Sequence, residues 1–535
     1  MRKQTSIIII IIIFFPIIVF SQSCLPDGIT FTTQTQVDSF QINYPNCTKI
    51  EGDLKITWSD ITSLTKLNVL TNIEGDLLIQ HNSMLTTLSG LQNIDSIYGS
   101  LGISSNDSLI NLSGFNSITS VGGSLVISNN GLLENLNGLD NLTNISYFLK
   151  ITENLSLTSI TGLLNLISIN GLLEIRNNPA LLSLYGLNNI NQGTYNVEIF
   201  DNQSLSDCAV ASICNYLSSP IGKINIYSND TGCNSPPEIA NSCGFTMPCL
   251  PYGDYYLLSQ SEVDGFHNDY SQCEQLNGSL ILNGEDITDL YGLYHISSIE
   301  ENLSIIGCNN LNTLVGLTNL SNIGEYFGIR NNESLQNLTG IHDLTYIGGG
   351  LSIWGNDSLL DLDELEQLTT LKGSLNIWYN NTLNDISGIE NIYSSYLTSV
   401  SILHNPYLSE CDVLSICSAI LFIEESCFFE ENASGCDSIE EVELACETMS
   451  LSEFDSKFEY ALYPNPGKDN IYIELQQGVE GVRIELFDGT GKQILNSKIT
   501  TTLEVVLPIG IKPGMYYYRI YNDKKILQTG KWIKS

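Results

Sequence analysis

The sequence predicts a mainly β chain, in which two tandem β-solenoids with rungs of about 24 residues are followed by a small C-terminal β-sandwich. Three observations predict this fold. A short Leu-x-Ile unit recurs at a nearly constant spacing, one pattern of cysteines occurs twice, and the repeat gives way to short alternating segments after Cys446. The length of 535 residues leaves room for about three such domains.

The N-terminal segment predicts export. Arg2 and Lys3 precede an apolar run over residues 6–20, and the sequence predicts a cleavage site before Gln22. About 15 apolar residues fall short of the roughly 20 that span a bilayer, so residues 1–21 are predicted to be a signal peptide rather than an anchor. We expect no transmembrane segment in the mature protein. The 59 acidic and 21 basic residues, a net charge of −38, argue against nucleic acid as a partner, because the two would repel.

The repeat defines the rungs of both solenoids. Leu-x-Ile alternates with period two, so each unit is predicted to be a short strand with both apolar residues inward. One rung encloses no core, and stacked rungs must bury it together. The second apolar residue of each unit, at spacings of 23 to 27, is Ile56, Ile79, Ile103, Ile127, Ile151, Ile175, Ile199 and Ile226, and then Leu282, Ile305, Ile329, Ile353, Ile377, Ile402 and, weakly, Phe429.

The cysteines show that the solenoid is duplicated, over residues 22–246 and 247–446. The last four of each half are spaced by 6, 19 and 10 residues, around the segments "CAVASICNYL" and "CDVLSICSAI", which predict helical end caps. The six of each half are Cys24, Cys47, Cys208, Cys214, Cys233 and Cys243, and Cys249, Cys273, Cys411, Cys417, Cys436 and Cys446.

Two disulfides follow from this duplication. Cys24 corresponds to Cys249, which lies mid-chain, so the rival hypothesis of a lipid on Cys24 is disfavoured. We expect Cys24 to pair with Cys47, and Cys249 with Cys273. The four later cysteines of each half leave three connectivities open. Cys308 and Cys427 have no counterparts and are predicted to be free, buried thiols.

The start of each half resembles a known domain. "CLPDGITFTTQTQVDSFQINYPNCTKIEGDLKIT" (24–57) is similar to the beginning of a receptor L domain, and "CLPYGDYYLLSQSEVDGFHNDYSQCEQLNGSLIL" (249–282) repeats it. Such domains bind ligands in insulin- and growth-factor-type receptors. The resemblance implies right-handed, single-stranded β-solenoids related to leucine-rich repeats, but it carries over no ligand.

A different module follows a linker predicted at 447–457. Residues 458–535 contain short alternating strands between Pro and Gly turns, with a hairpin signal in "DGTG" (488–491). Three motifs resemble the type A C-terminal sorting domain of Bacteroidota type IX secretion. They contain Tyr463, Pro464, Asn465 and Pro466, then Gly491 and Lys492, and finally Gly514, Tyr516 and Arg519.

This second resemblance implies a location and a partner. It implies that the chain passes through the periplasm and the outer membrane of a Gram-negative bacterium by way of the type IX secretion machinery. The sorting domain is then removed, and the protein is attached to the outer cell surface or released.

A recurring Asn and an outward slot are the candidate sites. The Asn ends each unit, and its buried amide is expected to form a ladder that satisfies backbone groups where the strand turns. The slot after each strand Ile points outward, and Trp354 and Trp378 are expected to stack there on adjacent rungs, as a platform for sugar rings or a protein contact. The alternatives are cover by the neighbouring solenoid or residues that merely suit a strand. The candidate ligand-binding residues are Arg330, Trp354, Trp378, Tyr379, His404, Arg176, Phe200 and Tyr227.

No catalytic or cofactor motif stands out. Glu174 and Glu198 on adjacent rungs are the only carboxylate pair suited to glycoside hydrolysis, and "DLDELE" (361–366) suits a solvated turn better than a calcium site. We expect no metal and no cofactor. The sequence therefore predicts a non-enzymatic binding or adhesion protein with an unknown extracellular glycan or protein ligand. The alternative is a polysaccharide-acting β-solenoid enzyme.

Overall fold

A computed structural model describes residues 22–58 and 60–449, together with 462–463, 470–473, 483–488, 492–498, 504–506, 511–512, 514–521 and 526–534. The predicted mainly β fold of stacked parallel strands is confirmed. The predicted signal peptide lies outside the described residues.

The first solenoid is built on a broad parallel sheet. Its inward residues stack on identical residue types: Leu125 pairs with Leu149, and Ile127 with Ile151, all with 0 % of their surface exposed. Its strands are Ile29–Phe31, Leu54–Thr57, Leu77–Gln80, Leu101–Ser104, Leu125–Ser128, Leu149–Thr152, Leu172–Arg176, Asn196–Asn202 and Ile224–Asn229.

A narrower parallel sheet forms a second wall of this solenoid. Most of its strands have two residues, of which the second is a buried Ile or Val. The strands are Gln22–Cys24, Cys47–Ile50, Asn72–Ile73, Ser96–Ile97, Ser120–Val121, Asn144–Ile145 and Ser168–Ile169.

The second solenoid repeats this arrangement. Its broad sheet contains Tyr255–Leu257, Leu280–Leu282, Leu303–Ile306, Phe327–Arg330, Leu351–Trp354, Ser374–Trp378, Ser399–Leu403 and Cys427–Glu430. Its narrow sheet contains Gln275–Leu276, Ser298–Ile299, Asn322–Ile323, Tyr346–Ile347 and Thr370–Leu371.

Each broad sheet begins one strand earlier than the repeat indicates. Phe31 pairs with Ile56, and Leu257 pairs with Leu282. These two first strands escaped the sequence analysis because neither contains a Leu-x-Ile unit. They belong to N-terminal caps, in which short helices cover the end of the core.

The helices lie mainly in the caps, and none in the described part of the chain is both long and apolar enough to cross a membrane. The predicted helical end caps are confirmed as Ala211–Ser218 and Leu414–Ile423. The other α-helices are Gln34–Asp38, Phe40–Asn43, Pro236–Ser242, Gln260–Asp269 and Ile439–Met449. The 3-10 helices are Thr65–Leu67, Thr161–Leu163, Tyr291–Leu293, Asp363–Leu365, Ser387–Ile389, Ser394–Tyr396 and Glu424–Ser426.

Disulfides fasten both ends of each solenoid. The predicted N-terminal pairs are confirmed, and Cys308 and Cys427 are free and buried. Of the three connectivities left open, the C-terminal caps use the same one twice, joining the first to the third cysteine and the second to the fourth. The six pairs are Cys24–Cys47, Cys208–Cys233, Cys214–Cys243, Cys249–Cys273, Cys411–Cys436 and Cys417–Cys446.

The second solenoid continues the stack of the first. A parallel bridge joins Ile224 to Gly253, and the Ile224 amide donates to the Tyr252 carbonyl at 3.2 Å. Beside this bridge, the rings of Tyr227 and Tyr256 stack with centroids 3.7 Å apart. The last rung of the first solenoid therefore contacts the start of the second through both backbone and side chains.

The described segments of the C-terminal module form two antiparallel sheets. One contains Leu462–Tyr463, Asn470–Ile473 and Glu504–Val506. The other contains Arg483–Phe487, Gln493–Lys498, Gly514–Tyr521 and Ile526–Lys534. The predicted hairpin is present, since Arg483–Phe487 pairs with Gln493–Lys498.

Candidate functional site

The Asn residues form a buried ladder, as the repeat suggests. Asn154 Nδ2 donates to the carbonyls of Ile127 and Thr152, both at 3.0 Å, and to Asn178 Oδ1 at 3.2 Å. In the second half Cys308 occupies this position, and its amide donates to Asn332 Oδ1 at 2.9 Å. The side chains with 0 % exposure are Asn82, Asn106, Asn130, Asn154, Asn178, Asn202, Asn332, Asn356, Asn380 and Asn405.

The turn before each ladder residue has a left-handed backbone. Its φ lies between 52° at Asn331 and 68° at Gly355. Left-handed backbone favours Gly, Asn or Asp, and bulky side chains rarely adopt it. Tyr379 and His404 nevertheless occupy this slot on neighbouring rungs, with φ of 56° and 57°. The turn requires the conformation, but it does not require an aromatic ring.

Aromatic side chains gather on the outside of the second solenoid. We call Arg330, Trp354, Trp378, Tyr379 and His404 the aromatic strip. The strands pair so that Arg330 lies beside Trp354, and Trp354 beside Trp378. Neighbouring rungs are about 4.8 Å apart, so the strip extends along the solenoid axis. Trp354 and Tyr379 remain 37 % and 48 % exposed.

Specific contacts hold the rings of the strip. Trp354 meets Tyr379 edge-on at 6.4 Å, rather than forming the stack on Trp378 that the sequence suggested, and Tyr379 stacks on His404 at 4.2 Å. Trp378 Nε1 donates to Ser401 Oγ at 2.9 Å. These contacts fix the rings in place while leaving two of them open to solvent.

Arg330 is held by a residue that the sequence analysis missed. Arg330 Nη2 donates to Tyr326 Oη, and the guanidinium carbon lies 5.3 Å from the centre of the Tyr326 ring. A Cβ at Gly328 would lie 2.8 Å from Tyr326 Cε1, so glycine leaves the space that this ring uses. Tyr326 was overlooked because it precedes the strand, outside the slots that the repeat marks.

The matching arginine of the first half is already neutralised. Arg176 Nε lies 2.7 Å from Glu174 Oε1, and its Nη1 lies 3.4 Å from Glu153. Lys150 Nζ contacts the other oxygen of Glu174 at 2.7 Å. Burial opposes ionisation of Glu174, but hydrogen bonds from Lys150 and Arg176 outweigh it and lower its pKa.

Glu198 has the opposite environment. It pairs in register with Glu174, and both burial and the Glu174 charge raise its pKa. The two carboxyl groups thus differ in pKa, as an acid and a base would. Glu174, however, is 5 % exposed and already bonded to two cations. An ion-pair network therefore accounts for Glu174, whereas Glu198 lies beside this network and forms no ion pair among the described residues.

The other aromatic candidates of the first half lie at the junction. Phe200 stacks on Tyr227 at 4.8 Å, and Tyr227 stacks on Tyr256 of the second solenoid. Burial is the main cause that raises the pKa of both tyrosines. These contacts correspond to the predicted alternative, cover by the neighbouring solenoid.

The acidic loop follows the strand Leu351–Trp354 and includes a 3-10 turn. Asp363–Leu365 forms this turn, and Glu364 Oε1 accepts from Thr339 Oγ1 at 3.3 Å. Over the residues that the structure describes, no three His, Cys, Asp or Glu side chains are placed to hold a metal ion.

The sorting motifs are described in part. Pro464, Asn465, Pro466 and Gly491 lie outside the described residues. Arg519 Nε donates to Glu485 Oε2 at 2.9 Å and so links two strands that carry sorting motifs. Tyr516 Oη donates to the Lys512 carbonyl at 2.7 Å.

Comparisons with known proteins agree with both resemblances. The chain combines a solenoid of stacked parallel rungs with an antiparallel C-terminal module. Residues 46–110 match the family model of the receptor L domain. Residues 461–535 match the secretion system C-terminal sorting domain, which indicates export by type IX secretion to the cell surface or outside. None of the curated proteins gives a significant match.

Proposed function

We propose that the protein is a non-enzymatic binding or adhesion protein, displayed on the cell surface or released, whose ligand contacts the aromatic strip. The observation that carries the proposal is the placement of Tyr379 and His404 in left-handed turns beside the exposed Trp354. These rings contribute nothing to the buried core, and exposed aromatic clusters of this kind suit ligand contact.

The receptor L domain match and the sorting domain support the same function. The receptor L domain match suggests a binding role. The sorting domain indicates export of the solenoids to the exterior, where an extracellular ligand is accessible. A polysaccharide-acting enzyme is the weaker proposal. The carboxylate pair that the sequence suggests for it includes Glu174, whose two cationic partners would have to be displaced before it could attack a sugar.

The test is a binding screen with the full secreted chain. Wild type and a Trp354→Ala/Trp378→Ala variant are screened against extracellular glycans and surface proteins, and each ligand found is assayed for product release. The matched control is Tyr98→Ala/Tyr147→Ala, which removes rings that are 61 % and 62 % exposed on the first solenoid. We expect the tryptophan variant alone to lose binding. Turnover of a bound polysaccharide would contradict a non-enzymatic role, and equal binding by all three proteins would exclude the strip.

A further inference from the structure

We infer that the ligand of the aromatic strip is an acidic glycan, whose carboxylate or sulfate group is bound by Arg330 while its sugar rings lie on the neighbouring aromatic side chains. This inference rests on the proposed function and narrows the class of ligand.

The first argument is the state of Arg330. The chain has 59 acidic and only 21 basic residues, so a cation near its surface readily finds a carboxylate. Arg176, in the corresponding slot of the first solenoid, has two. Among the described residues Arg330 forms no ion pair, and its partner is the neutral Tyr326. Its charge is therefore available to an anion from outside.

The second argument is the charge of the surrounding surface. The stretches from the first inward residue to the ladder residue, 303–308, 327–332, 351–356, 375–380 and 400–405, contain no Asp or Glu. The next rung, 427–432, contains Glu430 and Glu431, and Glu431 Oε2 lies 2.7 Å from His404 Nδ1 at that end of the strip. In the first solenoid the same positions hold Glu153, Glu174, Glu198 and Asp201. These five stretches therefore repel an anionic ligand less than the acidic surface of most of this protein, and the carboxylate of Glu431 lies at the His404 end, two rungs beyond Trp354.

The third argument is the preorganisation of the guanidinium. Tyr326 lies against Arg330 and accepts a hydrogen bond from it, and Gly328 leaves room for the ring. An arginine fixed before binding loses less conformational entropy when an anion arrives. Planar guanidinium groups also suit two-point contact with carboxylate or sulfate oxygens.

The geometry favours a glycan over an acidic peptide. Arg330, Trp354 and Trp378 occupy successive rungs. Their spacing of about 4.8 Å is comparable to the size of one sugar ring, so consecutive rings of a polysaccharide can meet consecutive rungs. Trp354 is 37 % exposed, and an exposed indole ring suits contact with the apolar face of a sugar.

The test uses the full secreted chain and five immobilised probes. Polygalacturonate carries carboxylates and dextran sulfate carries sulfates, whereas methyl-esterified polygalacturonate and dextran are their neutral counterparts. Polyglutamate represents an acidic peptide. Wild type is compared with Arg330→Gln, Trp354→Ala and the control Lys66→Gln, which removes the same charge from an exposed site on the first solenoid. Thermal melting checks that each variant is folded.

We expect at least one acidic polysaccharide to bind more tightly than its neutral counterpart, and the identity of that probe distinguishes carboxylate from sulfate. Arg330→Gln should weaken this binding by about tenfold to a hundredfold and remove the preference, while Lys66→Gln should not. Trp354→Ala should weaken binding of charged and neutral forms alike.

Three outcomes would overturn the inference. Equal affinity for charged and neutral forms, unchanged in Arg330→Gln but reduced in Trp354→Ala, would refute the acidic ligand and leave the proposed function intact. Polyglutamate binding as tightly as the polysaccharides would refute the glycan. Binding that neither Arg330→Gln nor Trp354→Ala alters would refute both proposals, because the strip would not be the site.

Discussion

At the scale of single residues, the ladder Asn stabilises the fold, whereas the outward residues are available for binding. Each ladder amide is buried and forms hydrogen bonds with backbone groups where a strand ends. The Asn therefore recurs for a structural reason. Asn106 and Asn154 begin Asn-x-Ser sequences, and we expect no glycosylation at either, because both side chains have 0 % exposure in the folded protein. The outward residues differ from rung to rung, and that variation is where binding specificity can arise.

Removal of one ladder amide should be costly. Asn154→Ala would leave the carbonyls of Ile127 and Thr152 and the amide of Asn130 without their partner. We expect the free energy of unfolding to fall by about 2–4 kcal/mol, because buried polar groups would be unsatisfied. Denaturant titration measures this, with the exposed Asn137→Ala as control, expected to stay within about 0.5 kcal/mol of wild type. Equal effects of the two substitutions would contradict the ladder.

The paired glutamates should respond oppositely to substitution. Because the pKa of Glu198 is raised, its ionised form destabilises the fold, and this cost disappears as pH falls through that pKa. Glu198→Gln should therefore raise the melting temperature near pH 7 and leave it unchanged near pH 3.5. The pKa of Glu174 is lowered, so its contribution is present above its unfolded pKa and is lost as pH falls. Glu174→Gln should thus lower the melting temperature near pH 7, and effects of the same sign would contradict this account.

At the scale of elements, the sequence predicted the repeated strands and the C-terminal helical caps, but it did not predict the strands of the N-terminal caps. The Leu-x-Ile unit reports a strand that stacks on copies of itself, so it located the rungs from Leu54–Thr57 onward. A cap strand such as Ile29–Phe31 covers the end of the stack. It occurs only once in each solenoid, so its apolar residues need not follow the repeated Leu-x-Ile pattern. Tyr326 was missed for a related reason, since its role depends on the space above Gly328 and on the position of Arg330.

The disulfide connectivity of the C-terminal caps, which the sequence left open among three possibilities, can be tested directly. Peptide mapping of the non-reduced protein should recover Cys208 linked to Cys233, and Cys214 linked to Cys243. Replacing Cys214 and Cys243 together by Ala should cost about 3–4 kcal/mol, because the bridge closes a loop with a sequence separation of 29. Cys308→Ala is the control, since this thiol is free. Recovery of either of the other two connectivities would contradict the caps as described.

At the scale of the whole molecule, duplication has produced two solenoids that stack end to end and contact each other. The sequence predicted two solenoids but not their relative orientation. That orientation depends on contacts between residues of different halves, which the repeat pattern does not reveal. The structure supplies that orientation through Ile224, Gly253 and the stacked rings of Tyr227 and Tyr256. The aromatic strip and the ion-pair network of Glu174 therefore lie on successive parts of one stack.

The junction determines whether the two halves unfold together. In a stack where each rung contacts only its neighbours, cooperativity depends on every interface being strong relative to the rungs it joins. Tyr256→Ala removes the ring that stacks on Tyr227, which we expect to weaken this interface by about 2 kcal/mol. Calorimetry should then show one transition for wild type and two for the variant, with Tyr147→Ala as an exposed tyrosine control that keeps one. Two transitions already present in wild type, unchanged by Tyr256→Ala, would mean that the halves fold independently despite their contact.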